Sequence, residues 1–187
     1  MTAAAERIRA LMRLARDGGK VYAWVSYGAG LTLPRTMEGP GPVACVRGLP
    51  RARIEAGRGR VRLGHVALYP GVRLTCLGEG TLTMGDGGYI NRFTRLETGT
   101  SIRIGGECMI SWHVIISDCV NVPAAGDGDT RREPVRIGDR CWIGARAVIR
   151  GGTDLGDDCI VGAGTIVQGT YPPGAVIVGR AAEARAA

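Results

Sequence analysis

The chain has 187 residues, a net charge of +7 and six cysteines. That is enough for one domain with a real core, and no apolar run reaches the roughly 18 residues of a membrane span. The start reads as a charged helix rather than a signal peptide, so a reducing cytoplasm is the expected setting. Residues 3–16 are predicted to form a short amphipathic helix, with Ile8, Leu11, Met12 and Ala15 on one face. Asp17-Gly18-Gly19 ends it. Its modest apolar face suits packing on the body of the protein or on a neighbouring subunit. Val21–Tyr27 reads as a strand, and Pro34, Pro40, Pro42 and Pro50 break up the stretch that follows. Residues 1–50 thus read as an N-terminal extension. Between Arg47 and Arg62 stand six arginines and a single acid, Glu55. Such a run can attract phosphates, acidic carrier proteins or nucleic acid, although a solvated face is the simpler reading. No aromatic residue interleaves with the arginines, so no base-stacking surface and no nucleic-acid partner are expected.

From about Ile54 an imperfect repeat begins: Leu63-Gly64, Val72, Leu74, Leu82, Met84-Gly85, Ile90-Asn91, Leu96. It then becomes strict. Every sixth residue is aliphatic through Ile104, Ile110 and Ile116, and after a break through Ile137, Ile143, Ile149, Leu155, Val161 and Val167. A six-residue aliphatic period fits neither a helix nor a simple strand. It is the mark of an all-β chain wound as a parallel β-helix of hexapeptide repeats. Three hexapeptides make one coil, so Cys141 and Cys159, three hexapeptides apart, fall in one column. Cys108 joins them once the extra residues of the break are removed. A column of one residue type suits apolar packing better than tetrahedral metal binding, so no metal is expected. Thirty-one glycines suit tight corners, and a single Phe suits a narrow interior. The break, 117–134, is polar and is predicted to leave the body as one extruded loop. The body then spans 51–170, and 171–187 holds a last strand, Val176–Val178, and a small helical tail.

The segment VRIGDRCWIGARAVIRGGTDLGDDCIVGAGTIVQGTYPPGAVIVG resembles the closing coils of hexapeptide-repeat acyltransferases, a family that includes galactoside, maltose, serine, antibiotic and surface-polysaccharide O-acetyltransferases. The likeness is strong over 84–180 and weak before it. It implies a left-handed β-helix, a homotrimer with active sites between subunits, and acetyl-CoA or another acyl-CoA as donor to a small-molecule or sugar acceptor. By the same resemblance Trp142 lies along the pantetheine arm. Ala145 and the segment Gly162-Ala163-Gly164-Thr165 form the donor groove, with Ala145 directly under Ala163. Asn91 matches the asparagine of the acceptor pocket.

The chain also departs from the family pattern. The family's catalytic histidine falls at Asn121 or Val122, neither of which can act as a base. The C-terminal basic residues that would meet the CoA phosphates are absent. Glu183 is a poor match there, and Arg180 or Arg185 is left to compensate. Acyl transfer needs a base for the acceptor proton. The chain has two histidines, His65 and His113. His113 lies three residues past Ile110 and should face outward, in register with Arg146 and Gly164, where an imidazole suits the role. Asp118 is the candidate to orient it or to hold an acceptor hydroxyl. Cys119 as a nucleophile would need His113 within reach. The leading expectation is therefore an acyl-CoA-dependent O- or N-acyltransferase with a relocated base. The alternatives are a β-helix enzyme of a biosynthetic pathway with non-CoA chemistry, and a trimeric scaffold without catalysis.

Overall fold

The computed structural model describes residues 44–45, 52–120 and 131–179. The expected N-terminal helix, the strand at 21–27 and the C-terminal helical tail lie outside the described residues. Within them the chain is a solenoid of short parallel strands on three faces. The first face stacks Ala44–Cys45, Ala67–Leu68, Tyr89–Ile90, Met109–Ile110, Trp142–Ile143, Ile160–Val161 and Val176–Ile177. The second stacks Arg53–Glu55, Arg73–Cys76, Arg95–Thr98, Ile115–Ser117, Val148–Ile149 and Ile166–Val167. The third stacks Arg60–Leu63, Thr81–Met84, Ser101–Ile104, Val135–Ile137, Asp154–Leu155 and Thr170–Tyr171. The stacked strands thus run from Ala44 to Ile177, beyond 51–170 on both sides. Val176–Ile177 is the last strand that the sequence predicts, while Ala44–Cys45 carries too little periodicity to be legible in it.

The repeat aliphatics form the core. Leu68, Ile90, Ile110, Ile143 and Val161 stack in register behind the first face, and all are buried. Leu74, Leu96, Ile116, Ile149 and Val167 do the same behind the second. Each fully buried aliphatic of this kind contributes about 1.5–3 kcal/mol from desolvation. The early phase shifts have a simple cause. The strands Arg73–Cys76, Thr81–Met84, Arg95–Thr98 and Ser101–Ile104 have four residues each, so each sends two side chains inward instead of one. Leu74 therefore pairs with Leu96, and Leu96 with Ile116, over spacings longer than the three hexapeptides of a strict coil.

The cysteine column is present as expected. Cys108, Cys141 and Cys159 are fully buried, one residue before the paired residues Met109, Trp142 and Ile160. Each thiol donates to a backbone carbonyl one coil on: Gly138 at 3.1 Å, Gly156 at 3.2 Å and Pro172 at 3.3 Å. The neighbouring Cys108 thiol and burial together push the Cys141 thiol well above its usual range. Burial and the charge of Asp118 raise Cys76 to about 11. Cys76 and Cys141 are thus inert packing groups near neutral pH.

Tight corners join the faces, and at two of them each coil places a residue in the left-handed backbone region. Between the first and second faces these are Gly71, Phe93, His113, Arg146 and Gly164 (φ 76°, 59°, 57°, 59° and 68°). Between the third and first they are Gly87, Glu107, Arg140, Asp158 and Gly174. Glycine is required two residues before Arg146 for a different reason, which is stacking. A Cβ on Gly144 would lie 2.6 Å from the backbone nitrogen of Ala163, one coil on.

The break in the repeat leaves the solenoid between the second and third faces. Its two arms pair with each other: Cys119 bridges Arg132 antiparallel, and the Val120 amide donates to the Arg131 carbonyl at 2.9 Å.

Candidate functional site

The corner between the first and second faces gathers most of the expected site residues. One column holds Trp112, Ala145 and Ala163, and the next holds Phe93, His113, Arg146 and Gly164. His113 is exposed, as its spacing predicts, because Ile110 and Val114 on either side are fully buried. Its left-handed backbone turns the imidazole out from the corner. There it stacks on Phe93, with ring centroids 5.2 Å apart and planes 19° apart. A phenylalanine with positive φ is a costly arrangement. Room for its ring comes from Gly71, where a Cβ would lie 2.5 Å from Phe93 Cδ1. Trp112 and Trp142 flank the corner, 52% and 49% exposed, a large apolar surface beside two alanines.

The backbone of this corner differs from its counterpart between the third and first faces. There the amides of His65, Gly106 and Asp139 are taken by aspartates one coil on. Asp86, Asp139 and Asp157 accept at 2.7, 2.8 and 2.9 Å. The bonds from the His65 amide and ring hold the exposed Asp86 carboxyl below its usual range. At the groove corner the matching positions one coil on are Ala145 and Ala163, which have no side-chain acceptor. The amides of Trp112, Ala145 and Ala163 make no hydrogen bond among the described residues. Their neighbours His113, Arg146 and Gly164 donate to the Arg92, Trp112 and Ala145 carbonyls at 3.0, 3.0 and 2.8 Å. The result is a vertical row of amide donors, one per coil and about 4.8 Å apart. Such a row suits an extended polar chain carrying its own carbonyl oxygens.

Other expected residues take different parts. Thr165 is buried, and its hydroxyl accepts from the Gly179 amide at 3.0 Å, so its side chain faces the interior rather than the groove. Gly162 and Gly164 do line the corner, and Gly164 has open space beyond its Cα. Asn91 sits at the same corner, where its Oδ1 accepts from the Arg92 amide at 2.7 Å. It does not use the left-handed conformation that asparagine tolerates; Phe93 does. Arg180 lies outside the described residues, as do Asn121 and Val122.

Asp118 is at another corner, between the second and third faces, and is fully buried. Its Oδ2 accepts from the Thr98 hydroxyl, the Gly99 amide, and the Thr100 amide and hydroxyl, at 2.6–2.8 Å. Its Oδ1 accepts from Arg132. Burial works against the charge, but the Thr100, Thr98 and Arg132 donors outweigh it and hold the carboxyl below its ordinary range. Both oxygens serve this clasp, so they neither orient His113 nor face an acceptor. Spacing in the sequence does not reveal the clasp, because its partners come from two separate segments. Cys119 sits in the same stem, away from the His113 corner.

A family model described as the hexapeptide repeat of succinyl-transferase matches residues 134–168. That segment carries the strict part of the hexapeptide repeat. Solved structures share the fold of this chain. One is AntD, an N-acyltransferase from Bacillus cereus in complex with dTDP and 3-hydroxybutyryl-CoA, with 21% identity, 76% of this chain and 78% of that chain covered, and a TM-score of 0.62. Another is a hexapeptide-repeat acetyltransferase from Vibrio cholerae, with 20% identity over 95% of this chain and 89% of that one and a TM-score of 0.55. A hexapeptide transferase family protein from Anaplasma phagocytophilum is similar at 17% identity over 79% and 80%, with a TM-score of 0.51. Among curated proteins no match is found. No helix among the described residues is long and apolar enough to cross a membrane.

Proposed function

We propose that this chain is an acyltransferase that moves an acetyl or other acyl group from acyl-CoA to a hydroxyl or amine of a small-molecule or sugar acceptor, working as a homotrimer. The observation that carries this reading is the row of open amides at Trp112, Ala145 and Ala163, which ends beside His113. The pantetheine arm of CoA is an extended chain with two amide groups, and the row matches its chemistry. Trp142 and Trp112 cover the apolar stretches of such a chain. Fold likeness to enzymes solved with CoA ligands supports the same donor.

In this reading the His113 imidazole takes the proton of the acceptor hydroxyl or amine as that atom attacks the thioester carbonyl. Carbon–oxygen or carbon–nitrogen bond formation gives a tetrahedral oxyanion, which a corner amide can steady. Collapse breaks the carbon–sulfur bond, and the imidazolium returns its proton to the departing CoA thiolate. The Phe93 ring fixes the plane of the imidazole.

Calorimetric titration of the full-length chain with coenzyme A and acetyl-CoA tests the reading. Micromolar binding is expected. His113→Ala is expected to keep that binding while turnover falls about 10²–10⁴-fold, the usual share of a general base. Absence of binding at millimolar ligand would remove the donor and leave non-CoA chemistry. Full turnover in His113→Ala would remove the base.

A further inference from the structure

Exposed arginines of the early coils are not used by the reaction just described. Coil winding stacks Arg53 of the arginine-rich run with two arginines of later coils. Arg53, Arg73 and Arg95 fall in register on the outer side of the second face, all exposed. Glu55, Thr75 and Glu97 stand beside them in the adjoining outward column. Together Glu55, Arg73, Thr75, Arg95, Leu96 and Glu97 line a cleft. Glu97 is engaged by Arg132 at 3.5 Å. Among the described residues neither Arg73 nor Arg95 has an ion pair. Like charges directly opposite each other on neighbouring strands are destabilising. Three arginines stacked at the strand spacing of about 4.8 Å thus stand in one column, with Glu55 and Glu97 nearby but in no ion pair with Arg73 or Arg95 among the described residues.

Position gives the ladder a meaning. Arg73 and Arg95 lie two residues beyond Gly71 and Phe93 of the groove corner, and Ile115, the next residue of their column, lies two beyond His113. Along the solenoid axis the order is the arginine cleft, then His113, then the amide row of Ala145 and Ala163. The donor side and the arginine side thus flank the base from opposite directions.

We infer that the acceptor is a phosphate ester of a sugar or similar polyol, whose phosphate is gripped by Arg73 and Arg95. The guanidinium fork matches phosphate oxygens two at a time. On the His113 side the Glu97 carboxylate, in the adjoining column beside Arg95, supplies an acceptor for polyol hydroxyls. The phosphate is a handle and is not transferred; it leaves a hydroxyl or amine one coil away, at the level of His113. This rests on the acyltransferase reading for the reaction but not for the binding.

The test is calorimetry on the full-length chain with glucose 1-phosphate, inorganic diphosphate, glucose and coenzyme A as separate probes. The two anions are expected to bind and glucose is not. The double variant R73Q/R95Q is expected to lose anion affinity roughly tenfold or more, as removal of charge-assisted bonds requires, with its CoA affinity unchanged and its melting temperature the same or slightly higher. Failure of both anions to bind the native chain at millimolar concentration would overturn the inference, as would equal anion binding by R73Q/R95Q. An equal loss of CoA affinity in that variant would also overturn it, by giving the ladder to the donor. Anion binding without CoA binding would instead defeat the acyltransferase reading and leave the phosphate site standing.

Discussion

Among the described residues six non-glycine residues adopt positive φ: Phe93, Glu107, His113, Arg140, Arg146 and Asp158. All fall in two corner columns, so the coil geometry demands the conformation and the side chain bears its cost, about 1–2 kcal/mol each. This separates stability from function at His113. Glycine there relieves the backbone, while its greater freedom in the unfolded chain takes back about 0.4–1 kcal/mol. His113→Gly is therefore expected to melt at or slightly above the native temperature and yet lose turnover as His113→Ala does. Melting curves beside turnover decide it. A clear drop in stability would mean that the Phe93–His113 stack is mainly a packing device. The exposure of His113 was legible from its distance to Ile110, but its partner Phe93 was not. The two belong to successive coils, and only the coil length set by the four-residue strands brings the rings together.

At the scale of elements, the excursion between the second and third faces is held by Asp118. Because its carboxyl lies below the ordinary range in the folded chain, its contribution is present above the unfolded pKa of about 3.9. It is lost as pH falls through the folded value. Native melting temperature is thus expected to decline below about pH 4. Asp118→Asn leaves Arg132 with Glu97 as its carboxylate partner and is expected to cost about 1.5–3 kcal/mol at pH 7, the range for hydrogen bonds to a charged group. It is also expected to flatten the acid decline. Thermal melts across pH on both proteins check this; equal acid slopes would assign the decline to other groups. The loop itself was legible as a polar interruption of the repeat. Its clasp was not, since Thr98, Thr100, Asp118 and Arg132 form no local pattern and meet only when one coil lies on the next.

For the whole molecule, the outer surfaces divide sharply. The C-terminal half exposes Trp142, Ile160 and Val176 on the first face and Ile115 and Ile166 on the second. Exposed apolar patches of this kind mark contact surfaces, which supports the proposed trimer. Light scattering is expected to give three copies, and the double variant Ile166→Glu, Val176→Glu is expected to give single copies with an intact fold by circular dichroism. A native monomer would leave those residues without a partner and remove the trimer.

The sequence by itself determined the solenoid, its inward columns and the cysteine ladder, because a six-residue aliphatic period has one compact solution when every repeat must bury its apolar residue against the next. It also placed Ala145 under Ala163 at one corner, since positions three hexapeptides apart must stack wherever the coil length is regular. Tertiary structure decided what regular spacing does not encode. The amides of Trp112 and Ala145 stay open because Ala145 and Ala163, one coil on, replace the aspartates that serve the opposite corner. Asp118 serves a clasp because two other segments, 98–100 and Arg132, converge on it. Arg73 and Arg95 form a ladder because the early coils are longer than three hexapeptides, and only the strand register shows which arginines then stand above one another.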